Sequence, residues 1–205
     1  MLIYDLNANP LNSNEWAFPL TECFHITSFA LSIGTIVLVD LKLLGLALKR
    51  QTSAKALKDT SIWTLAGLII VITSGLLIFS SDPIMYLHNA SFKYKVSNLL
   101  LAIIFNYTIH RTVSITGASP GGKGSGSVMP LLGLSAVYLA YLASYLMTAT
   151  GGVKVGVYVL AIVVNLAIQF MAPLSGSSAQ QKAAAVMSIA MWVSVVYGGL
   201  WIAFV

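Results

Sequence analysis

Six apolar stretches dominate this sequence, and each is long enough to cross a membrane as a helix. A helix that crosses the hydrocarbon core of a bilayer needs about 20 mainly apolar residues. Only 8% of the 205 residues are charged and 58% are hydrophobic, far from the roughly 25% charge of an ordinary soluble domain. We therefore predict an all-α integral membrane protein, a six-helix transmembrane bundle that forms a single domain over residues 1–205. The predicted spans are about 17–48, 61–79, 95–113, 128–149, 153–173 and 183–205.

The basic residues between the spans predict how the bundle is oriented. Loops on the cytoplasmic side of a membrane carry an excess of Lys and Arg. With an external N-terminus, the inner loops hold Lys49, Arg50, Lys55, Lys58, Arg111, Lys123 and Lys182, and the outer loops hold Lys93, Lys95 and Lys154. Seven against three predicts that both termini lie outside. Because these charges act as topology signals beside membrane lipid, the net charge of +5 does not indicate a nucleic-acid partner.

The sequence contains a single cysteine, Cys23. One cysteine excludes an internal disulfide and a metal cluster built from cysteines. Because Cys23 lies in the first apolar stretch, we predict a buried structural thiol. We also expect Trp192, in the middle of the sixth stretch, to be buried.

Short polar connections join the spans, and none resembles a separate domain. Asp82 and Pro83 open a segment that contains Tyr86 and His88, and we predict that it lies along the outer membrane surface. Residues 117–124, GASPGGKG, nearly match the phosphate loop G-x-x-x-x-G-K-[ST], but a glycine replaces the hydroxyl residue and no strand precedes it. We predict a flexible loop there.

The first apolar stretch carries Glu22, His25 and Asp40, which are unusual residues for a membrane helix. An ionised side chain at the bilayer centre costs about 2.5–3.5 kcal/mol on insertion scales. At about 100° per residue, the three lie within about 60° of one another on one helix face. Because such residues usually face the bundle interior and pair, we predict that this face turns inward.

The third stretch repeats the arrangement with Lys95, Asn98, Asn106 and His110, which also share one helix face. The first and third spans run in the same direction, so their polar residues can be matched by depth. Bases on one helix can then neutralise acids at the same level on its neighbour, which offsets the cost of removing the acids from water. The matched outer residues are Glu22, His25, Lys95 and Asn98, and the inner polar cluster is Asp40, Asn106, His110 and Arg111.

These groups have two interpretations. In the first, they are only structural ion pairs and hydrogen bonds. In the second, they form a site, because His25 is a neutral ligand or proton carrier that charge balance does not require. Glu22, one turn earlier, would orient the His25 imidazole. A single protein histidine is enough to ligate haem iron.

A second ligand to the same iron or metal would have to come from the outer side. His110 lies about 10 Å or more from His25 in depth. We therefore expect the second ligand to be His88 or Lys95, or the position to be open. Copper is the alternative metal, with Met85 and Met129 as soft ligands near the helix ends. No run of clustered Met or Cys residues supports a high-affinity Cu(I) site.

Several stretches of the first three spans carry a family resemblance. FPLTECFH through DLKLLGLALKR, then TSGLLIFSSDPIMYLHNASFKYK and NYTIHRT, resemble a family of small bacterial membrane proteins with a domain of unknown function. The resemblance covers about the first half of the chain. It implies a multi-pass protein of the bacterial cytoplasmic (inner) membrane.

The same region is more distantly similar to HemJ-type protoporphyrinogen oxidases and CopD-type copper resistance proteins. Those families pair an early-helix histidine, followed by glycine, with a lysine that opens a later helix, and the matching residues here are His25, Gly34 and Lys95. For HemJ the resemblance implies a b-type haem bound by the histidine. This sequence carries Asp40 and Lys42 where HemJ-like proteins have an arginine, so we expect a shared haem or metal scaffold and not porphyrinogen oxidation.

Together these features predict a b-type cytochrome-like protein that binds haem b and transfers electrons, with quinone as a possible partner. His25 would be the iron ligand, Glu22 its orienting partner, and Lys95 a partner for a haem propionate or for Glu22. The inner polar cluster would be structural or proton-conducting. The alternatives are a haem-free accessory subunit of a larger membrane complex or a copper-handling carrier. As partners we expect membrane lipid and either a larger membrane complex or further copies of the chain in a homo-oligomer.

Overall fold

The computed structural model describes residues 8–117, 126–147 and 150–204, and every regular element in those ranges is a helix. The glycine-rich segment at 118–125, including the GKG of the phosphate-loop match, lies outside the described residues. The helices are α1 (Pro10–Ser13), α2 (Ala17–Leu43), α3 (Ser53–Ser81), α4 (Pro83–His88), α5 (Ala90–Phe105), a π-helical segment (Asn106–His110), α6 (Arg111–Thr116), α7 (Met129–Leu146), α8 (Gly151–Met171), α9 (Ser178–Trp201) and a final 3-10 turn (Ile202–Phe204).

Six helical runs in the described residues are long and apolar enough to cross a membrane. The predicted number of spans is therefore confirmed, and these runs indicate a multi-pass membrane protein. The external position of both termini stays a prediction. The runs are Ala17–Leu43, Ser53–Ser81, Ala90–Thr116, Met129–Leu146, Gly151–Met171 and Ser178–Phe204.

The first span is shorter than predicted because a glycine ends it. α2 stops at Leu43, five residues before the predicted boundary at 48. Gly45 adopts a left-handed conformation with φ of 80°. The Leu46 N–H then donates to the Leu41 carbonyl at 2.9 Å, and the Gly45 N–H donates to the Lys42 carbonyl at 2.9 Å. These two bonds form a Schellman motif, which satisfies the last carbonyl groups of the helix.

Three later spans begin earlier than predicted because polar side chains cap them. Thr52 Oγ1 accepts from the Lys55 N–H, so α3 starts at Ser53 and includes most of the predicted loop. Asn89 Oδ1 accepts from the Phe92 N–H, so Lys95 lies inside the third span. Ser177 and Gln180 form a capping box at the start of α9. A short polar side chain at this position replaces a missing backbone acceptor.

The segment expected after Asp82 is also present, as the one-and-a-half-turn helix α4. Asp82 Oδ1 accepts from the Met85 N–H at 3.0 Å and Pro83 occupies the first turn. Tyr86 is buried against Phe79 and Phe92, and this burial raises the pKa of its phenol.

Helix pairing determines which polar residues become buried. α2 packs along α3, α5 packs against α9, and α9 also contacts α2. Trp192 of α9 is only 1% exposed, as expected. Cys23 is exposed, so the prediction of a buried thiol is wrong: its side of α2 faces away from α3 and α9. Glu22 is exposed as well, whereas Asp40 on the same helix is fully buried.

Candidate functional site

A cluster of three polar side chains lies in the interior of the bundle. His110 Nε2 and Asp40 Oδ1 are 2.7 Å apart, and the Ser188 hydroxyl donates to Asp40 Oδ2 at 2.8 Å. All three residues are 0% exposed. The structure thus brings together Asp40 and His110, which sequence analysis placed at the inner end of neighbouring spans. Their interaction joins two positions separated by 70 residues.

Three elements position these groups. Asp40 lies near the end of α2, between buried Val39 and Leu43 on the side of the helix that faces the core. Ser188 comes from the buried face of α9. His110 ends the π-helical segment, where the chain widens from the α-helical pattern and the Arg111 N–H donates to the Asn106 carbonyl. Such single-turn π segments are rare and often occur at functional sites.

We interpret the cluster with Asp40 ionised, because the Ser188 hydroxyl donates to one of its oxygens and His110 offers a donor to the other. In this interpretation His110 donates through its Nε2–H. In the neutral imidazole the other nitrogen, Nδ1, then carries a lone pair. Among the described residues His110 Nδ1 is the one buried side-chain nitrogen or oxygen without a hydrogen-bond partner.

His110 also lines a cleft between α2, α3 and the π-helical segment. The cleft has a volume of about 20 Å³, which is room for about one water molecule. Two of the residues that line it, Arg111 and Tyr107, are exposed. Its wall consists of Ile36, Val39, Leu57, Thr60, Ser61, Thr64, Asn106, Tyr107, His110 and Arg111. The other two residues of the predicted inner cluster, Asn106 and Arg111, thus border this cleft and do not contact Asp40.

Sequence analysis missed Ser188. An uncharged serine in an apolar span gives no electrostatic signal, and the sixth span was recognised by hydrophobicity alone. A weak pattern was available, because Gln180, Ala184 and Ser188 follow at intervals of four and are all buried on one face of α9.

The outer residues are arranged around His25, which is half-buried on α2. The Ser74 hydroxyl donates to the Ile70 carbonyl at 2.7 Å, so its oxygen accepts from His25 Nδ1–H at 3.0 Å. This tautomer leaves a lone pair on His25 Nε2. A Cβ atom added at Gly75 would lie 3.1 Å from His25 Cε1, so the glycine allows the imidazole to pack closely against α3.

The remaining predicted outer residues do not form one contact cluster with His25. Lys95 is partly buried beside Gly198 and Gly199 of α9 and interacts electrostatically with Glu22 and His25. Asn98 is fully buried and accepts a hydrogen bond from Tyr138. His88 lies on α4, is exposed, and donates from Nδ1 to the Ile84 carbonyl at 2.8 Å.

These donors allow a test of the predicted haem or metal site. The described residues include no group of three or more His, Cys, Asp and Glu side chains that could hold a metal ion. His25 does have the geometry of a single ligand, because a fixed Nδ1–H leaves Nε2 free to coordinate. The donors fit one axial ligand to haem iron and do not fit a protein-built metal site. Haem, electron transfer and copper binding stay predictions.

A family model described as a family of unknown function, DUF6644, matches residues 17–158. The match extends past the first half of the chain into the fifth span. No curated protein and no solved structure matches the chain. The resemblance to HemJ-type and CopD-type proteins is not among these findings.

Proposed function

The chain belongs to the DUF6644 family of unknown function, and from its buried Asp40–His110 pair we propose that it is a proton-coupled membrane protein. In this proposal the pair takes up and releases a proton inside the bundle. The observation that carries the proposal is the state of His110: its Nε2 lies 2.7 Å from Asp40, while its buried Nδ1 lacks a protein partner in the described residues and its ring borders a cleft.

This arrangement differs from what a purely structural ion pair needs. A buried ionisable pair stabilises a fold only when its remaining donors and acceptors are satisfied. Leaving one polar atom of His110 without a partner costs about 1–3 kcal/mol. A proton-binding nitrogen must instead remain accessible to a proton, and histidine is the side chain whose charge changes most readily near neutral pH.

The residues have distinct roles in this proposal. His110 Nδ1 is the atom that gains and loses the proton. Asp40 holds the ring through Nε2–H and stabilises the imidazolium that forms, because opposite charges attract strongly away from water. Ser188 fixes the second oxygen of Asp40 and so sets the direction of the carboxylate. The cleft would carry the proton between His110 and the end of the bundle where Arg111 lies, which the predicted topology places on the cytoplasmic side.

Proton uptake by reconstituted vesicles tests the proposal. Purified protein is placed in phosphatidylcholine vesicles that contain a pH-sensitive dye, with equal KCl on both sides and valinomycin to remove any voltage. After an external acid pulse, the wild-type protein should acidify the interior faster than vesicles without protein. Asp40→Asn and His110→Gln should reduce this rate to the protein-free level.

The matched control is Asp59→Asn, which removes a carboxylate from an exposed ion pair with Lys55 at 3.0 Å. It should acidify the vesicles at the wild-type rate. Size-exclusion profiles and thermal unfolding show whether each variant is folded. Wild-type rates in folded Asp40→Asn and His110→Gln would rule out the pair as the proton carrier.

The geometry of His25 favours a second candidate function, a haem-binding, electron-transferring protein. Its support is the free Nε2 of an imidazole oriented by Ser74. A bound haem would supply one-electron chemistry, with His25 as iron ligand and Lys95 beside its propionates. A reduced-minus-oxidised visible spectrum of the purified protein, with His25→Ala and His110→Ala, tests this. A haem spectrum lost only in His25→Ala supports it; a colourless protein after expression with ample haem contradicts it.

A further inference from the structure

We propose that the cleft beside His110 binds a small monovalent anion, such as chloride, which is taken up together with the proton. This proposal rests on the proposed function and names the second ion of the same site. Its basis is the chemistry of the cleft wall. No Asp or Glu is among the residues that line it, whereas Arg111 and Asn106 are.

These groups are not occupied by other protein partners. Within the described residues Arg111 forms no ion pair, and the Asn106 side chain makes no hydrogen bond although it is only 7% exposed. His110 Nδ1 is the third group without a partner. A residue with a cation, one with a neutral amide and one with a protonatable imidazole thus line one small space. Of these groups His110 Nδ1 is buried, and a buried polar atom without a partner is costly, so its position beside an unpaired cation and an unbonded amide indicates a ligand.

The charges around His110 explain why the ligand is an anion. Among the described residues, the carboxylate that contacts His110 is that of Asp40, which bonds at Nε2 and is not one of the residues lining the cleft. Arg111 is the next residue in the chain, and Tyr107 adds a phenol. The helices packed against this segment contribute hydroxyl groups, Thr60 and Thr64 from α3 and Ser188 from α9. Protonation of His110 beside Arg111 would place two positive charges around the cleft. An anion between them offsets this repulsion.

Uptake of both ions also lowers the electrostatic cost of the step. A proton bound at His110 Nδ1 and an anion in the cleft together add no net charge to the bundle interior, where isolated charges are costly. By linkage, an anion that favours the protonated imidazole must bind more tightly when the imidazole is protonated. The volume of about 20 Å³ limits the ligand to roughly the size of a water molecule, which excludes a lipid headgroup from the space next to His110.

A chloride gradient separates this inference from the proposed function. Vesicles of phosphatidylcholine are prepared without a pH gradient and with voltage held at zero by valinomycin and equal potassium. External chloride opposed to internal gluconate should acidify the interior, and replacement of chloride by gluconate on both sides should abolish the effect.

Arg111→Gln and Asn106→Leu should slow chloride-driven acidification roughly tenfold, the loss expected for a hydrogen bond to a charged group. Lys58→Gln removes a cation from α3 that does not line the cleft, and it should behave as wild type.

The outcomes distinguish the two proposals. If an acid pulse drives Asp40- and His110-dependent uptake equally well in chloride and in gluconate, the proposed function stands and the anion inference is overturned. If uptake fails in both media, the proposed function fails.

Broadening of the chloride NMR signal by detergent-solubilised protein gives a readout without transport. It should be present in wild type and in Lys58→Gln and reduced in Arg111→Gln; equal broadening in all three overturns the inference.

Discussion

Gly67 of α3 lies directly against Ser32 of α2, and this contact is what brings the two helices into close approach. A Cβ atom added at Gly67 would lie 2.9 Å from Ser32 Cβ and 2.8 Å from the Ser28 carbonyl oxygen. The second of these atoms belongs to the backbone and cannot rotate away. Small residues allow membrane helices to pack closely. Because lipid provides no hydrophobic driving force for helix association, van der Waals contact stabilises the helix pair instead.

We therefore expect Gly67→Ala to destabilise the protein by about 1–3 kcal/mol, the usual cost of inserting atoms into a well-packed contact. Thermal unfolding in detergent measures this effect. Gly133→Ala in α7 is the matched control, because nothing lies within 4 Å of a Cβ atom added there. Equal midpoints for the two variants would show that α2 and α3 are less closely packed than described.

Removal of one partner of the buried pair should be more costly than removal of both. Asp40→Leu leaves the buried His110 N–H without its acceptor, and an unsatisfied buried polar group costs about 1–3 kcal/mol. The double variant Asp40→Leu/His110→Leu should regain much of this stability, since a well-packed apolar pair often replaces a buried ionic pair without loss. It should still fail to carry protons. Unfolding by detergent titration measures the stability of each variant, and the acid-pulse assay measures its proton transport. A double variant that carries protons would contradict the proposed role of the pair as proton carrier.

Ser188→Ala should weaken the site without removing a charge. Its hydroxyl is one of two donors to the Asp40 carboxylate, and a hydrogen bond to a charged group contributes about 1.5–3 kcal/mol. We expect a loss of stability of this size and slower proton uptake. Ser194→Ala, on the same helix, removes a half-buried hydroxyl that donates to the Ala190 carbonyl and interacts with Tyr94 and Tyr138 instead of with Asp40. An equal effect of the two substitutions would mean that Ser188 does not hold the carboxylate.

Gly45→Ala tests the end of the first span. At φ of 80° a residue with a Cβ is strained by about 1–2 kcal/mol. The variant should have a lower unfolding midpoint, and hydrogen exchange should increase at the Leu46 amide, which closes the Schellman motif. Gly34→Ala in the interior of α2 has open space around its Cβ and should be tolerated. Unchanged exchange at Leu46 in Gly45→Ala would contradict this account of the helix end.

The six spans could be predicted from the sequence, because length and hydrophobicity are properties of each segment alone. The sequence also placed Asp40 and His110 at a common depth, since two parallel helices with the same rise per residue can be compared position by position. The ends of the spans were less well predicted. They depend on single side chains, such as Asn89 and Thr52, that supply a hydrogen bond to the first turn.

Which polar residues form a site depends on how the helices pack against one another. Glu22 and Asp40 share a face of α2 by helical periodicity, yet Glu22 is exposed, whereas Asp40 is fully buried and bonded to Ser188 of α9. The π-helical segment changes the direction of His110 relative to a regular α-helix. Ser188 belongs to a span whose middle has no charged residue that could have marked it in the sequence. The physical reason is that periodicity is a local property of one helix. Burial and hydrogen bonding depend instead on which other helices lie beside it.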